Sequence, residues 1–400
     1  MALARFEHPS DMEPLVPSGD VVELLPQASA LIRAAAELGG YFAPETREAV
    51  ADLVRSMNGY YSNLIEGHRT RPVDLEAALA QDFSSEPRRR EMQQLHFAHV
   101  ETQLHLERRL REAPDFDFLS TESICWIHQK FYSLLPDSLR HITDLEGKTY
   151  PVNPGQLRDY DVHVGVHLAP PPDAVRGFLV RFHHFYGPYR HNTAPEAVIA
   201  AMAAHHRLTW IHPFGDGNGR VTRLLTHAWL SRLGLGANGL WTLARGLARN
   251  LDDYKQALAA ADNKRLNDFD GRGYLSEQRL TEFCAFLLER SLDQIQFMHG
   301  LLDLRQLEKR LLSYCAVAEQ ARDLPKRSGI LLRDVMLRGS IPRGEGARIL
   351  NVSARTAQTV IGNLLAKGLL KSPSPKGKLR IGFPGFICPS LFPDLYPTGP

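Results

Sequence analysis

Apolar residues recur mostly at spacings of three and four along this chain, so it reads as mainly helical. The segments VVELLPQASALIRAAAELGG (21–40) and PETREAVADLVRSMNGYYSNLIEG (44–67) predict two N-terminal helices, each closed by glycine. Residues 86–112, rich in Arg, Glu and Leu, predict a long solvated helix, with SSEPRRRE as its solvated start rather than a nucleic-acid patch. TESICWIHQKFYSLL (121–135) predicts another amphipathic helix. Between residues 145 and 172 the pattern breaks into prolines and glycines, followed by the alternating DVHVGV, which predicts a hairpin. Helical spacing resumes at PDAVRGFLVRFHHFY (172–186). The next helix, TAPEAVIAAMAAHHRLTWIH (193–212), opens with Thr193 and Glu196 at capping-box spacing and Pro195 in its first turn. More helices are expected to about residue 320, where ARDLPKRSG (321–329) marks a boundary. The expected division is an N-terminal helical region (1–110), a core (111–320) and a C-terminal unit (321–400).

The C-terminal unit has a pattern of its own. GEGARILNVSARTAQTVIGNLLAKGLL (344–370) has the shape of a helix-turn-helix, the second helix running from Ala354 to about Lys367. KSPSPKGKLRIGF (371–383) then reads as a wing hairpin turning at Lys376-Gly377. Charge sharpens this reading. The whole chain carries a net +2, but residues 321–382 hold 13 Lys and Arg against 3 Asp and Glu, while the remainder holds 34 against 42. A basic winged helix with Arg355, Thr356, Gln358 and Thr359 on its exposed helix face, and Lys376 and Lys378 on the wing, suits a DNA backbone. Winged helices also serve as protein-docking modules, and that alternative stands beside the first.

Composition adds limits. A hydrophobic content of 44% and a charged content of 23% are those of an ordinary globular protein. No apolar run reaches the roughly 18 residues of a membrane span, and MALARFEHPSDMEP shows no apolar signal core. Cys125, Cys284, Cys315 and Cys388 are scattered with no CxxC pair, which fits buried apolar residues in a reducing cytoplasm.

The chemistry concentrates in HPFGDGNGRVTR (212–223). A helix begins near Asn218, because Val221, Leu224, Leu225, Ala228 and Trp229 form one apolar stripe after it. Its first turn leaves N–H groups unpaired at the positive end of the helix dipole. Glycines at 215, 217 and 219 let the backbone approach a ligand closely, which makes an anion cradle suited to phosphates. Arg220 and Arg223, three apart, share a face and can both reach a polyphosphate. Asp216 can hold the Mg2+ that accompanies a nucleoside triphosphate. His212, just before the turn, can take a proton from an incoming hydroxyl. An EF-hand is excluded by register, since counting from Asp216 the sixth position is Val221 and the twelfth His227. A P-loop is excluded because no G-K-[ST] follows. His205 and His206 lie at no metal-ligand spacing with His212 and read as packed residues.

This stretch resembles the signature of the Fic (Fido) family, HxFx[DE]GNGRxxR, at every fixed position. The resemblance implies a mainly α fold, a Fic helical core with a small β-hairpin flap, joined here to the C-terminal winged helix. It implies transfer of AMP from Mg2+-ATP to a hydroxyl side chain of a target protein, the enzyme itself included. His212 would be the general base and Asp216 the Mg2+ ligand. Gly217, Asn218 and Gly219 would bind the α- and β-phosphates, Arg220 the β-phosphate and Arg223 the γ-phosphate, with Phe214 anchoring the loop. SNLIEG (62–67) resembles the family's inhibitory motif [ST]xxxE[GN], on a helix expected over about 46–67. By that resemblance Glu66, four residues after Ser62 and before Gly67, would pair with Arg223 and take the place of the γ-phosphate. The segment PGQLRDYDVHVG (154–165) resembles the flap that pairs with a target backbone, with Gly155, Arg158, Val162 and Val164 as docking residues. Asn250 and Tyr254 match a nucleoside-contacting segment, from which Ala244, Leu251 and Lys255 depart. A homodimer is the assembly the resemblance implies. Two other functions stand beside transfer of AMP: a nucleotide-sensing DNA-binding regulator, and a transferase using another nucleotide donor.

Overall fold

The computed structural model describes every residue except 1–5, 19–20, 39, 41, 144–146, 166 and 397–400, and of 21 and 22 only the backbone. Gly39, one of the glycines expected to close the first helix, and residues 145, 146 and 166 of the expected hairpin region lie outside the described residues. The helices follow the apolar spacing. α1 (Val21–Leu38) and α2 (Pro44–Ile65) lead to a short α3 (Leu75–Leu79), a long α4 (Pro87–Glu112) and α5 (Thr121–Ser133). Two antiparallel ribbons follow, β1 (His141–Thr143) with β2 (Thr149–Pro151), and β3 (His163–Val164) with β4 (His167–Leu168). The alternating stretch thus forms the second ribbon, and the first went unpredicted because its strands are three residues each. α6 (Val175–Tyr186), α7 (Pro195–Ile211), α8 (Asn218–Arg232), α9 (Leu243–Arg249), α10 (Leu251–Ala261), α11 (Glu277–Leu301) and α12 (Leu304–Gln320) complete the body.

α7 is the centre. Its AAMAA run lets neighbours approach on every side, and Ala197 to Leu208 are buried without a break. It packs on α1, α6, α8 and α11. Its start corrects the capping-box expectation: Ala194 is the N-cap, without a side-chain cap, and Asn192 Oδ1 accepts from the Ala194 N–H at 2.9 Å. The solvated reading of 86–112 is also corrected. One face of α4 is fully buried against α2, with His96, His99, Thr102 and Leu106 at 0% exposure. Polar identity hid this face. His96 Nε2 meets Ser56 Oγ at 3.1 Å, and Gln103 Oε1 accepts from Asn58 Nδ2 at 2.7 Å.

The last part of the chain comprises α13 (Ser328–Arg338), β5 (Ser340–Ile341), α14 (Glu345–Leu350), α15 (Ala354–Ala366), β6 (Leu370–Lys371), β7 (Leu379–Ile381) and α16 (Cys388–Leu391). Its strands form one antiparallel sheet in the order β5-β7-β6. α15 buries Ala357, Val360, Ile361 and Leu364, and leaves Arg355, Thr356, Gln358 and Thr359 exposed. Lys376 and Lys378 are exposed on the β6–β7 connection. This part rests on α2. Thr46 Oγ1 donates to the Met336 carbonyl at 2.7 Å near one end, and Tyr61 Oη to the Leu395 carbonyl at 3.0 Å near the other. One apolar cluster runs from Phe6 to Leu395. Cys284, Cys315 and Cys388 are buried within it and Cys125 is half-buried, all as free thiols. No helix of the described residues is long and apolar enough to cross a membrane.

Candidate active site

The junction of α7 and α8 builds the site. α7 ends on His212 in the left-handed region (φ 51°, ψ 60°), a conformation costing a non-glycine residue roughly 1–2 kcal/mol. Arg158 holds it there. The guanidinium Nε donates to the His212 carbonyl at 2.8 Å, and the Arg158 N–H donates to the Pro213 carbonyl at 3.0 Å. Its other nitrogens donate to the carbonyls of Tyr160 and Pro170. His212 Nδ1 faces the Thr209 carbonyl at 3.3 Å, so in the neutral ring Nδ1 carries the proton and Nε2 the lone pair. Burial, reinforced by the Arg158 charge, pushes the imidazole down to about 4.

Between the two helices Phe214 is fully buried. Its backbone is clamped by one side chain: Asn218 Oδ1 accepts from the Phe214 N–H at 2.9 Å, and Asn218 Nδ2 donates to the Phe214 carbonyl at 2.8 Å. The Asn218 carboxamide is therefore committed to shaping the loop, and the backbone is what the loop offers to a phosphate. Gly217 provides the N-cap of α8 at φ 79°.

Asp216 is gripped from α5, a contribution that the pattern reading missed. Tyr132 Oη donates to Asp216 Oδ2 at 2.5 Å. His128, one turn earlier, accepts from the Gly155 N–H on Nδ1 at 2.9 Å, which leaves Nε2–H to donate to the Asp216 carbonyl at 3.2 Å. The His128 ring stacks on Phe214 at 4.0 Å and on Tyr132 at 4.4 Å. Burial pushes the Asp216 carboxyl up, but the Arg220 charge, the Tyr132 hydroxyl and the Gly217 N–H outweigh it and hold it below the usual range. Its side chain is 45% exposed, so the ionised group is open to solvent. One hard carboxylate oxygen beside an anion cradle fits Mg2+ that arrives with nucleotide phosphates. Among the described residues no group of three or more His, Cys, Asp or Glu forms an all-protein metal cage.

The C-terminal end of α2 closes over the cradle. Gly67, at φ 82°, ends it in a Schellman turn, with Gly67 N–H on the Leu64 carbonyl and His68 N–H on the Asn63 carbonyl. That turn aims the last side chains at α8. Glu66 Oε1 accepts from Arg223 Nη2 at 2.6 Å. Ser62 takes Arg223 Nε on its hydroxyl at 2.9 Å and Nη2 on its carbonyl at 3.0 Å. Asn63, absent from the predicted set, accepts from Arg220 Nε at 3.1 Å. A Cβ at position 219 would collide with Glu66 Oε1, so the carboxylate lies against the first turn of α8. Burial pushes Glu66 up, while Arg223 and then Arg220 pull it down further, and the net is a lowered value.

Two expected groups sit elsewhere. Gly155 and Arg158 are internal anchors rather than docking residues: a Cβ at 155 would meet Gln129 at 2.9 Å, and Arg158 is 4% exposed. Val162 is half-buried, and its carbonyl accepts from the Ala169 N–H. Val164, 40% exposed on β3, lies on an outer edge, since among the described residues β3 pairs with β4 alone. Tyr254 is buried and donates to His205 Nε2 at 2.8 Å, while His205 Nδ1 meets Thr226 Oγ1 at 2.8 Å. Asn250 caps α10, with Nδ2 on the Gly246 carbonyl at 2.9 Å. His206 packs with Nε2 on the Leu258 carbonyl at 3.1 Å.

Residues 118–230 match the family model described as Fic/DOC family. The protein adenylyltransferase Fic of Drosophila mojavensis is 38% identical over 106 residues, which is 26% of this chain and 21% of that protein. Its Drosophila virilis counterpart is 37% identical over 106 residues, 26% of this chain and 22% of the relative. The match thus spans about a fifth of the length of these curated relatives. Among solved structures, Fic-1 (residues 134–508) from C. elegans superposes with a TM-score of 0.52 at 16% identity, covering 70% of this chain and 73% of that one. A Fic domain containing signaling protein from Bacteroides thetaiotaomicron gives 0.51 at 17% identity, covering 68% and 95%. The mainly helical architecture, the loop between α7 and α8 and these likenesses agree: the chain carries a Fic/Fido domain.

Proposed function

We propose that this protein is an adenylyltransferase that modifies a protein hydroxyl and is held inactive by its own Glu66. The supporting observation is the position of the Glu66 carboxylate, which rests on Arg223 and against the first turn of α8. An anion cradle at a helix N-terminus attracts negative charge, and here the chain supplies that charge itself. In the active form the target hydroxyl gives its proton to His212 Nε2 as its oxygen bonds the α-phosphorus of ATP. The bond from the α-phosphorus to the bridging oxygen of the β-phosphate breaks, and pyrophosphate leaves. Arg220, Arg223 and the α8 N-terminus neutralise the leaving group. Asp216 would hold Mg2+, which adds positive charge against the phosphates. Glu66 on Arg223 competes with the γ-phosphate, and the outer edge of β3 at Val164 is where a target strand would add.

The test is incubation of the Glu66→Gly protein with Mg2+ and ATP labelled at the α-phosphate. Losing a charged hydrogen bond worth about 1.5–3 kcal/mol should raise protein labelling roughly tenfold to a hundredfold over the unaltered chain. Adding His212→Ala should lower it by about 10²–10⁴-fold. Equal labelling with and without His212, or none with any nucleotide, sinks the reading.

A second activity concerns the C-terminal part, which has the element order of a winged helix. The exposed Arg355, Thr356 and Gln358 of α15, with Lys376 and Lys378, favour DNA. A mobility shift with duplex DNA at low salt is expected, weakening as salt rises and lost in a Lys376→Glu, Lys378→Glu double variant. No shift at low salt would leave a protein-docking role.

A further inference from the structure

Two residues of α5 grip both ends of Asp216, and no part of the proposed reaction assigns them a task. Tyr132 and His128 stand four apart on one helical face, at 1% and 0% exposure. Tyr132 occupies Asp216 Oδ2, and His128 occupies the Asp216 carbonyl. The fit depends on glycine at 217, where a Cβ would meet Tyr132 Cε2 at 2.7 Å and Oη at 2.9 Å. We propose that Tyr132 and His128 are positioning residues of the Mg2+ site, Tyr132 setting which oxygen of Asp216 is presented to the metal.

Tyr132 and Arg220 compete for the same carboxylate oxygen. Asp216 Oδ2 lies 3.9 Å from Arg220 Nη1, just beyond a hydrogen bond. Without the phenol, rotation of the carboxylate would close that pair and draw the ligand toward the arginine, which is needed for phosphate. With the phenol in place, Oδ2 is spoken for and Oδ1 is the oxygen presented to the metal, the Gly217 N–H lending the carboxylate a further hold. Mg2+ demands near-ideal geometry and takes few protein ligands, so fixing its one carboxylate matters. Partners that orient a metal ligand typically change metal affinity by 10–100-fold when removed. His128 fixes the same residue through the backbone and ties it to Gly155, at the root of the segment that carries β3.

This inference rests on the metal-and-nucleotide reading above, and its test needs no transfer. Tyr132→Phe in the Glu66→Gly protein deletes the hydroxyl and keeps the ring that stacks on His128. ATP binding is measured by calorimetry with EDTA and across a Mg2+ series. The expected result is ATP affinity unchanged in EDTA, with roughly 10–100-fold more Mg2+ needed to reach the metal-dependent affinity. An equal loss with and without Mg2+ marks Tyr132 as merely structural and overturns the proposal, as does an unchanged Mg2+ requirement. Absence of any Mg2+ effect on ATP binding with Tyr132 intact also removes it. Mg2+-dependent ATP binding without label transfer would sink the transferase reading alone and leave this proposal standing.

Discussion

His212 is a base by virtue of its surroundings rather than its type. An exposed histidine titrates near 6.5, so about a quarter of the molecules would lack the lone pair at pH 7. Here burial, then Arg158, holds the ring down to about 4, with the proton on Nδ1. The folded value lies below the ordinary one, so the neutral form persists as pH falls through 6.5 and is lost only as pH approaches 4. Label transfer by the Glu66→Gly protein should therefore show no acid limb near 6.5, its His212-dependent fall coming well below that. Arg158→Gln, which removes the larger of the two charges that lower it, Arg158 and His167, should move that limb upward. A limb at 6.5 in the parent protein would contradict the assignment. The identity of this residue was legible in HPFGDGNGRVTR, but its partner was not. Arg158 read as a flap residue because nothing in LRDYDV announces that one guanidinium will serve three carbonyls.

At the scale of elements, legibility followed periodicity and failed where polar residues face inward. α1, α2, α7 and α8 could be drawn from their apolar spacing, and the sharp stop of α2 from Gly67. α4 was foreseen as a helix but its burial was not, because its buried face is His96, His99, Thr102 and Gln103, which a hydrophobicity pattern counts as solvent. The same blindness hid Asn63, His128 and Tyr132. Each lies on a helix whose existence was foreseen, yet each acts across space on the Asp216 loop or the first turn of α8, 84 to 157 positions away. One signal was present: ICWIHQKFYSLL places His128 and Tyr132 at i, i+4 on the side shared with Ile124 and Phe131, so two polar groups were bound for the interior. A buried polar pair needs partners, and the motif loop is where unsatisfied groups were expected.

The whole molecule joins the C-terminal part to the site through one helix. α2 carries Ser62 and Asn63, which hold Arg223 and Arg220, and the preceding residues are held by the end of the chain. Tyr61 Oη donates to the Leu395 carbonyl, Tyr60 meets the Tyr396 ring edge-on at 5.3 Å, and Arg245 donates to the Asp394 carbonyl. Tyr61→Phe would leave a buried carbonyl without its donor, a penalty of about 1–3 kcal/mol. Thr46→Val removes a bond of the same kind, to Met336, near the opposite end of α2 and far from Glu66. If the chain end steadies the turn that holds the arginines, the two substitutions should part company. Both should lower the denaturant midpoint, whereas Tyr61→Phe alone should raise labelling by the Glu66-intact chain, by several-fold for each kcal/mol lost. In the Glu66→Gly background, where the restraint is already gone, Tyr61→Phe should add nothing. Equal activation by Thr46→Val would mean that general loosening of α2 suffices, and that Asp394–Tyr396 has no special hold on the site.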